Sequence, residues 1–218
     1  MNIAERVAQI YREIPANVRL IAVTKQVDAQ QIRQTYNQTK IRDFAENRLQ
    51  SALEKKPVLQ DLSDICWHFI GHLQSNKAKK VIQEFEWIHS VDNLALLQQL
   101  DKIALQNNLQ RSICLQVKAL SDPNKFGWTI NQLQQEFAEI EKCQKSLSIR
   151  GLMTILPIGL SSEQKIAAFS TIRDLAKSLS ASSTVTLDQL SMGMSGDYKE
   201  AVACSATMIR LGQAIYSL

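Results

Sequence analysis

Short apolar runs alternate with longer polar segments along the whole chain. Eight such runs occur, at residues 19–25, 41–47, 66–72, 86–91, 112–119, 149–156, 187–192 and 207–212. Runs of this length are typical of buried strands, and the segments between them have the periodicity of amphipathic helices. Strands that alternate with helices predict a parallel sheet, because a parallel connection needs a crossover that is usually helical.

The polar segments carry helix signals of their own. Asp28, Thr129 and Ser161 are each followed three residues later by a glutamine, the spacing of a capping box. Apolar residues then recur at helical spacing, for example at Leu96, Leu97, Leu100, Ile103 and Ala104, and at Phe169, Ile172, Leu175, Ala176 and Leu179. A further helix is predicted over residues 3–12, before the first strand.

The unbroken series of eight βα units predicts a single (β/α)8 TIM barrel of the α/β class, preceded by the N-terminal helix. The 218 residues divided by eight give about 27 residues per unit, near the ~30 residues of one βα unit. No change of composition divides the chain, so we expect one domain over residues 1–218, with two domains as the alternative.

Charge and targeting signals narrow the functional classes. The 25 basic and 21 acidic residues give a net charge of +4, and the basic residues are scattered, which argues weakly against nucleic acid as a partner. Lys77, Lys79 and Lys80 are interpreted first as an exposed helix face and second as an anion patch. We expect a cytoplasmic protein, because neither a signal peptide nor an apolar run of the ~18 residues that span a bilayer is found.

Cysteine and histidine spacing does not favour a metal site. Cys66, Cys114, Cys143 and Cys204 lie far apart without a C-x-x-C pair, which fits reduced, mostly buried thiols. His68 and His72 lie in a strand-like run, where four residues span ~13 Å, too far for one ion to bind both easily. We therefore expect packed or hydrogen-bonded histidines.

Lys25 stands where the first apolar run ends. An amine beside apolar packing is a candidate for Schiff-base chemistry, because desolvation favours its neutral, nucleophilic form. The alternative is a lysine whose stem packs on the strand while its ammonium reaches water.

In a parallel barrel the carboxyl ends of all strands meet at one face, so polar residues at those ends converge there. The residues at or near these ends include Lys25, Asn47, His68, Gly71, Met153, Ser191, Met192, Arg210, Gly212 and Gln213. The loops after strands seven and eight commonly bind phosphate in such barrels. Gly193 and Gly212 would let the backbone approach a ligand there, or would merely turn the chain.

Other residues at this face leave alternatives open. Ser195 is either a ligand contact or a helix cap, and Met192 and Met194 either fill the core or contact an aromatic cofactor. Arg210 ends an apolar run and needs a carboxylate or a ligand atom as its partner. An amine, a phosphate cradle and an arginine around one opening suggest a phosphorylated carbonyl ligand, for which pyridoxal 5′-phosphate is the simplest candidate.

Several motifs together resemble the YggS/PROSC family of pyridoxal phosphate homeostasis proteins, which share the barrel of bacterial alanine racemase (fold type III). The resemblance covers nearly the whole chain. The segments that carry it are residues 22–25 (AVTK), 46–47 (EN), 67–77 (WHFIGHLQSNK), 150–153 (RGLM), 190–195 (LSMGMS) and 209–212 (IRLG).

This resemblance implies roles for individual residues. Lys25 would form the Schiff base, Ser191 with the Gly212 and Gln213 amides would hold the phosphate, and Arg210 would face the pyridine nitrogen. Asn47, His68, Met153 and Met192 would line the ring. An arginine at that nitrogen leaves it unprotonated, which weakens the ring as an electron sink.

The chain departs from the family pattern at two positions. Ala45 stands where the family usually has glycine. Gln213 stands where threonine is frequent, so only its backbone amide would contact the phosphate.

Three functions remain open at this stage. The favoured one is a protein of intracellular vitamin B6 homeostasis that binds pyridoxal phosphate without substantial turnover, has no catalytic residue, and acts as a monomer toward apo-enzymes or a regulatory protein. The alternatives are a small racemase or lyase, and a barrel for another sugar or nucleotide phosphate. Alanine racemases take a second base from a domain that follows the barrel, and here Tyr216 and His68 would be the nearest substitutes.

Overall fold

Eight parallel strands close into one barrel in the order β1 to β8, and β8 pairs with β1. The structure, a computed structural model, describes residues 1–122, 125–144 and 146–216. The strands are β1 (Arg19–Val23), β2 (Asp43–Glu46), β3 (Cys66–Phe69), β4 (Trp87–Val91), β5 (Arg111–Gln116), β6 (Leu147–Met153), β7 (Gln189–Ser191) and β8 (Met208–Leu211). The predicted barrel is confirmed. Most strands end earlier than the apolar runs, because the last residues of those runs turn into loops at the barrel mouth.

Helices connect the strands on the outside of the barrel. They are α1 (Ile3–Glu13), α2 (Ala29–Gln38), α3 (Leu49–Lys55), α4 (Ala78–Glu84), α5 (Leu94–Gln106), α6 (Ile130–Glu141), α7 (Ser162–Ala181), α8 (Tyr198–Ala203) and α9 (Gln213–Tyr216). The capping boxes predicted at Asp28, Thr129 and Ser161 are all present, and Asn2 forms another with Glu5. Local polar side chains therefore fix where these helices begin.

Two groups of buried side chains stabilise the barrel. The larger group lies between strands and helices and includes the predicted apolar faces of α5 and α7. The smaller group consists of Ile21, Ala45, Trp87, Cys114, Met153 and Met208. These six residues come from six different strands, so they can pack together only inside the closed barrel.

The remaining compositional predictions concern exposure. Lys77, Lys79 and Lys80 are exposed, as an outer helix face requires. Cys114, Cys143 and Cys204 are buried and Cys66 is half-buried, in agreement with the predicted burial of the thiols. In the parts of the chain that the structure describes, no helix combines the length and apolar content needed to cross a membrane.

Gly151 permits close packing of β6 against β7. A β-carbon at this position would lie 1.7 Å from the Gln189 carbonyl oxygen. Because both groups belong to the backbone of paired strands, neither can move without distorting the barrel.

We therefore expect Gly151→Ala to lower the free energy of unfolding by about 2 kcal/mol, the usual cost of overpacking. Urea unfolding followed by circular dichroism measures this. Gly196→Ala is the matched control, because no heavy atom lies within 4 Å of its added carbon. Equal stability of the two variants would contradict the packing argument.

Candidate cofactor site

A cavity of about 510 Å³ opens at the carboxyl ends of the strands. Lys25, Asn47, Arg210, Gly212 and Gln213 line it, together with the apolar side chains of Val23, Ile70 and Ile155. These three apolar residues also pack on the cluster inside the barrel. A smaller cavity of about 270 Å³ adjoins it on the side of β1 and α9. Apolar side chains thus close the barrel interior below the cavity. Polar groups from separate strand ends meet around the cavity itself.

Lys25 lies two residues beyond β1, and its side chain is exposed at the cavity mouth. The sequence-based expectation of an amine packed against apolar side chains is therefore wrong. Instead, the backbone that precedes Lys25 is held firmly. The Thr24 amide donates to the Ala45 carbonyl at 2.9 Å, and the Thr24 hydroxyl donates to Glu46 Oε1 at 2.6 Å.

Lys55 completes this anchor from α3. Its ammonium donates to the Thr24 carbonyl at 2.8 Å and to Glu46 Oε1 at 2.7 Å. Glu46 is fully buried, and its Oε2 atom has no hydrogen-bond partner among the described residues. The buried carboxylate therefore depends on Lys55 for its neutralising charge.

Arg210 lies on β8 at the floor of the cavity and is only 3 % exposed. One terminal nitrogen, Nη1, donates to Ser191 Oγ at 2.6 Å, and Nη2 donates to the Thr154 carbonyl at 2.9 Å. Burial lowers the pKa of this guanidinium to about 10, so it still carries a positive charge at neutral pH. The sequence left a carboxylate or a ligand atom as its partner, and the protein partners are instead a hydroxyl and a carbonyl.

A group of hydrogen-bond donors also lines the cavity, at the start of α9 and in the loop after β7. α9 begins at Gln213, and the first amides of a helix have no acceptor within the helix. The Ala214 amide donates to Ser195 Oγ at 3.1 Å, which holds the loop after β7 against the start of α9. Ser195, Gly212 and Gln213 line the cavity next to Lys25 and Arg210. We call them the candidate anion-binding surface, because a hydroxyl and backbone amides suit an anion.

Four of the predicted site residues lie outside the cavity lining. Ser191, His68, Met153 and Met192 are fully buried. The Ser191 hydroxyl is bonded to Arg210 and to His89 Nδ1, so it is not available to hold a phosphate. This corrects the predicted phosphate contact of Ser191, and Ser195 is the serine that lines the cavity.

The other three residues lie deeper in the structure. His68 is bonded to Asp43 and His89 below the cavity, and Met153 belongs to the cluster inside the barrel. Met192 packs in the core between strands and helices. Their strands end at the cavity, but these side chains do not reach it.

The glycines of this face serve packing. Gly193 has φ of +97°, and a β-carbon there would lie 2.8 Å from the Ala201 side chain. A β-carbon on Gly212 would lie 3.3 Å from the Val23 carbonyl oxygen. Gly193 therefore turns the chain, the second of the two readings that the sequence allows, whereas Gly212 passes close to β1 and also lines the cavity.

Comparisons with known proteins identify the family. The family described as alanine racemase, N-terminal domain, matches residues 1–218. The pyridoxal phosphate homeostasis protein of Synechocystis sp. is 48% identical over 209 residues, which are 96% of this chain and 95% of the relative. The chain belongs to the pyridoxal phosphate homeostasis protein family.

Other family members and solved structures agree. The pyridoxal phosphate homeostasis protein of Pseudomonas aeruginosa is 37% identical, over 98% of this chain and 94% of the relative. The structure of PipY from Synechococcus elongatus with pyridoxal phosphate bound is 43% identical, with a TM-score of 0.95 over 99% of this chain and all of that one. Alanine racemase of Clostridium difficile, 15% identical with a TM-score of 0.79 over 99% of this chain and 59% of that one, shares the fold.

Sequence reasoning missed several residues of this family member's site. Ser195 was noted as a ligand contact or a helix cap, and in the structure its hydroxyl binds an amide of α9, which is distant in sequence. Lys55 and Glu46 act through tertiary contacts that no local pattern shows. His89 is hidden in an apolar run, and its alternation with Trp87 along β4 is the one signal that places it inside the barrel.

Asp43, Cys66 and His68 lie together at the lower end of the barrel, with their ligand atoms within 4.8 Å of one another. His68 already bonds to Asp43, and Arg19 lies 3.6 Å from the same carboxylate oxygen. Burial raises the pKa of the Cys66 thiol to about 12, which disfavours the thiolate that a metal would need.

The anchor of Lys25 yields a prediction for stability. We expect Lys55→Met to lower the free energy of unfolding by about 3 kcal/mol, because it leaves the buried Glu46 carboxylate unpaired. Lys80→Met is the matched control: it removes an exposed ion pair with Glu84 and should change stability by no more than about 0.5 kcal/mol. Urea unfolding of both variants measures this difference. A Lys55→Met variant as stable as Lys80→Met would contradict the role of Lys55.

Proposed function

We propose that this chain binds pyridoxal 5′-phosphate through Lys25 and takes part in intracellular vitamin B6 homeostasis without substantial turnover. The observation that carries the proposal is the combination of three chemically different groups around one cavity: an exposed amine, a buried guanidinium and the candidate anion-binding surface. Family membership and the pyridoxal phosphate bound to PipY support the same ligand.

The residues of the cavity fit this cofactor group by group. The Lys25 amine can bond to an aldehyde carbon, and the surface formed by Ser195, Gly212 and Gln213 suits a phosphate. Val23, Ile70 and Ile155 offer apolar contact to an aromatic ring, and Asn47 adds a polar group to the wall. When bound, the cofactor supplies an aldehyde for reversible attachment and a ring that accepts electrons.

Arg210 is the residue that would limit further chemistry. We place the pyridine nitrogen at its guanidinium, where a fixed positive charge disfavours protonation of that nitrogen. An unprotonated ring withdraws electrons less strongly and is a weaker electron sink. Arg210 therefore favours holding the cofactor over using it.

Two residues of the barrel, His68 and Tyr216, are candidates for the second base of a racemase. Neither is suited to that role, which also favours a carrier. His68 is fully buried below the cavity and already hydrogen-bonded on both ring nitrogens. Tyr216 lines the adjoining cavity, but its hydroxyl bonds with Thr35, and burial raises its pKa to about 12. A phenol with so high a pKa is a poor base near neutral pH.

The attachment to Lys25 predicts a spectroscopic change. Wild type mixed with pyridoxal phosphate should show a new visible absorption band that free cofactor lacks, and Lys25→Ala should not show it. Lys79→Ala is the matched control, since that lysine is exposed on α4 away from the cavity. Identical spectra for wild type and Lys25→Ala would refute the proposed role of Lys25.

Turnover separates the carrier from a racemase or lyase. The loaded protein, incubated with a panel of L- and D-amino acids, should give no racemised or decarboxylated product on chiral chromatography. An unrelated racemase run in parallel shows that the assay detects such products. Steady product formation from any amino acid would establish an enzyme instead.

Ser195 should contribute through the phosphate alone. We expect Ser195→Ala to raise the Kd for pyridoxal phosphate about tenfold, the value of one hydrogen bond to a charged group. The Kd for pyridoxal, which has no phosphate, should not change. Ser178→Ala, on the exposed face of α7, is the control in a fluorescence titration, and equal weakening toward both ligands would exclude a phosphate contact.

The cellular setting follows from this proposal. We propose a cytoplasmic monomer that passes the cofactor to pyridoxal-phosphate-dependent apo-enzymes or answers to a regulatory protein. The name that the relatives share supports the part of this proposal that concerns handling of the cofactor. Sedimentation of the loaded protein measures its oligomeric state, and a stable dimer would contradict the monomer.

A further inference from the structure

A continuous line of hydrogen bonds crosses the barrel interior beneath the cavity. Arg210 Nη1 lies 2.6 Å from Ser191 Oγ, and Ser191 Oγ lies 2.7 Å from His89 Nδ1. His89 Nε2 lies 2.8 Å from His68 Nδ1, and His68 Nε2 lies 2.9 Å from Asp43 Oδ1. The five residues come from β8, β7, β4, β3 and β2, so only the closed barrel brings them together.

The Asp43 carboxylate at one end of the line indicates where the protons on both imidazoles lie. Arg210 can only donate, so the Ser191 oxygen accepts from it and the single Ser191 proton stays available for His89 Nδ1. The Asp43 carboxylate accepts, so His68 carries its proton on Nε2 and accepts on Nδ1. His89 then donates from Nε2. With neutral imidazoles the Asp43 end thus sets the direction of the line, and Ser191 completes it by donating to His89 and accepting from Arg210, so every bond is satisfied.

The surroundings favour these neutral forms. His68 and His89 are fully buried, and burial lowers the pKa of both. The positive charges of Arg210 and Arg19 lower the pKa of His89 further. His68 stacks on Trp87 with 5.9 Å between ring centroids. The Arg19 guanidinium lies over the same Trp87 ring and 3.6 Å from Asp43 Oδ1.

Arg210 needs such support because its contacts are neutral. In the part of the chain that the structure describes, its hydrogen bonds go to the Ser191 hydroxyl and the Thr154 carbonyl, and no carboxylate pairs with it. A serine hydroxyl rotates freely unless another group takes its proton. His89 is that group, and His68 with Asp43 fixes the tautomer of His89.

We propose that His89 and His68 are positioning residues, which hold Ser191 as an acceptor and thereby fix the Arg210 guanidinium at the floor of the cofactor cavity. This inference rests on the proposed function in one respect, namely that Arg210 faces the pyridine nitrogen of the cofactor. The hydrogen-bond line itself belongs to the protein without ligand.

The first test therefore uses the protein without cofactor. The chain contains three histidines, so nitrogen NMR of histidine-labelled protein at neutral pH resolves each ring, with His68→Asn, His72→Asn and His89→Asn for assignment. We expect His68 and His89 to be neutral with the proton on Nε2. A proton on Nδ1 of His89, or a charged ring at either position, would overturn the proposal.

The second test is a double-mutant cycle on the affinity for pyridoxal phosphate. His89→Leu should raise the Kd about tenfold, within the range of coupling between connected residues. In an Arg210→Met background the same change should alter the Kd by less than about twofold, because the positioned group is gone. Met208→Leu, a change of similar volume inside the barrel, controls for general repacking of the interior.

His89→Asn adds a conservative variant. Its side-chain oxygen can replace Nδ1 as acceptor for the Ser191 proton, so it should retain more affinity than His89→Leu. Equal losses from His89→Leu with and without Arg210 would show a purely structural role and overturn the proposal. If wild type binds no pyridoxal phosphate, the proposed function fails, and the tautomers measured without cofactor still decide on the hydrogen-bond line.

Discussion

The burial of the Arg210 guanidinium is the constraint on which the site depends. A positive charge inside a barrel filled with apolar side chains is costly unless each of its donors finds an acceptor. Ser191 on β7 and the carbonyl of Thr154, the residue that follows β6, supply acceptors. The apolar cluster of Ile21, Ala45, Trp87, Cys114, Met153 and Met208 closes the space below. Together they give the cavity a floor that is rigid and positively charged at one point.

Closure of the barrel between β8 and β1 places Arg210 at the cavity floor close to the groups at the cavity mouth. β8 pairs with β1 in a register that places Arg210 beside Ile21, four residues before Lys25. α9 begins three residues after Arg210, so the candidate anion-binding surface lies at the same seam. The contact of Lys55 with Glu46 and Thr24 then fixes the turn that carries Lys25. One pairing of strands thus brings the amine, the guanidinium and the start of α9 around a single cavity.

The sequence predicted much of this arrangement, and its failures have a common physical cause. Apolar periodicity and capping boxes located all eight strands and the starts of α1, α2, α6 and α7, because both signals are local. The sequence also predicted five residues that line the cavity, all of them at or just beyond strand ends: Lys25, Asn47, Arg210, Gly212 and Gln213. The depth of a side chain inside a barrel depends on how the strands are staggered, which a local pattern does not show. For this reason Ser191, His68 and Met153 were predicted at the cavity although they lie below it. Ser195, His89 and Lys55 act through contacts between distant segments, so no local pattern could assign their roles.

The central claim is that Lys25 holds the cofactor covalently at this seam. Borohydride reduction of the protein loaded with pyridoxal phosphate, followed by peptide mass spectrometry, tests it most directly. The account predicts one phosphopyridoxyl group per chain, on the peptide that contains Lys25. Modification chiefly at another lysine, or none at saturating cofactor, would contradict it.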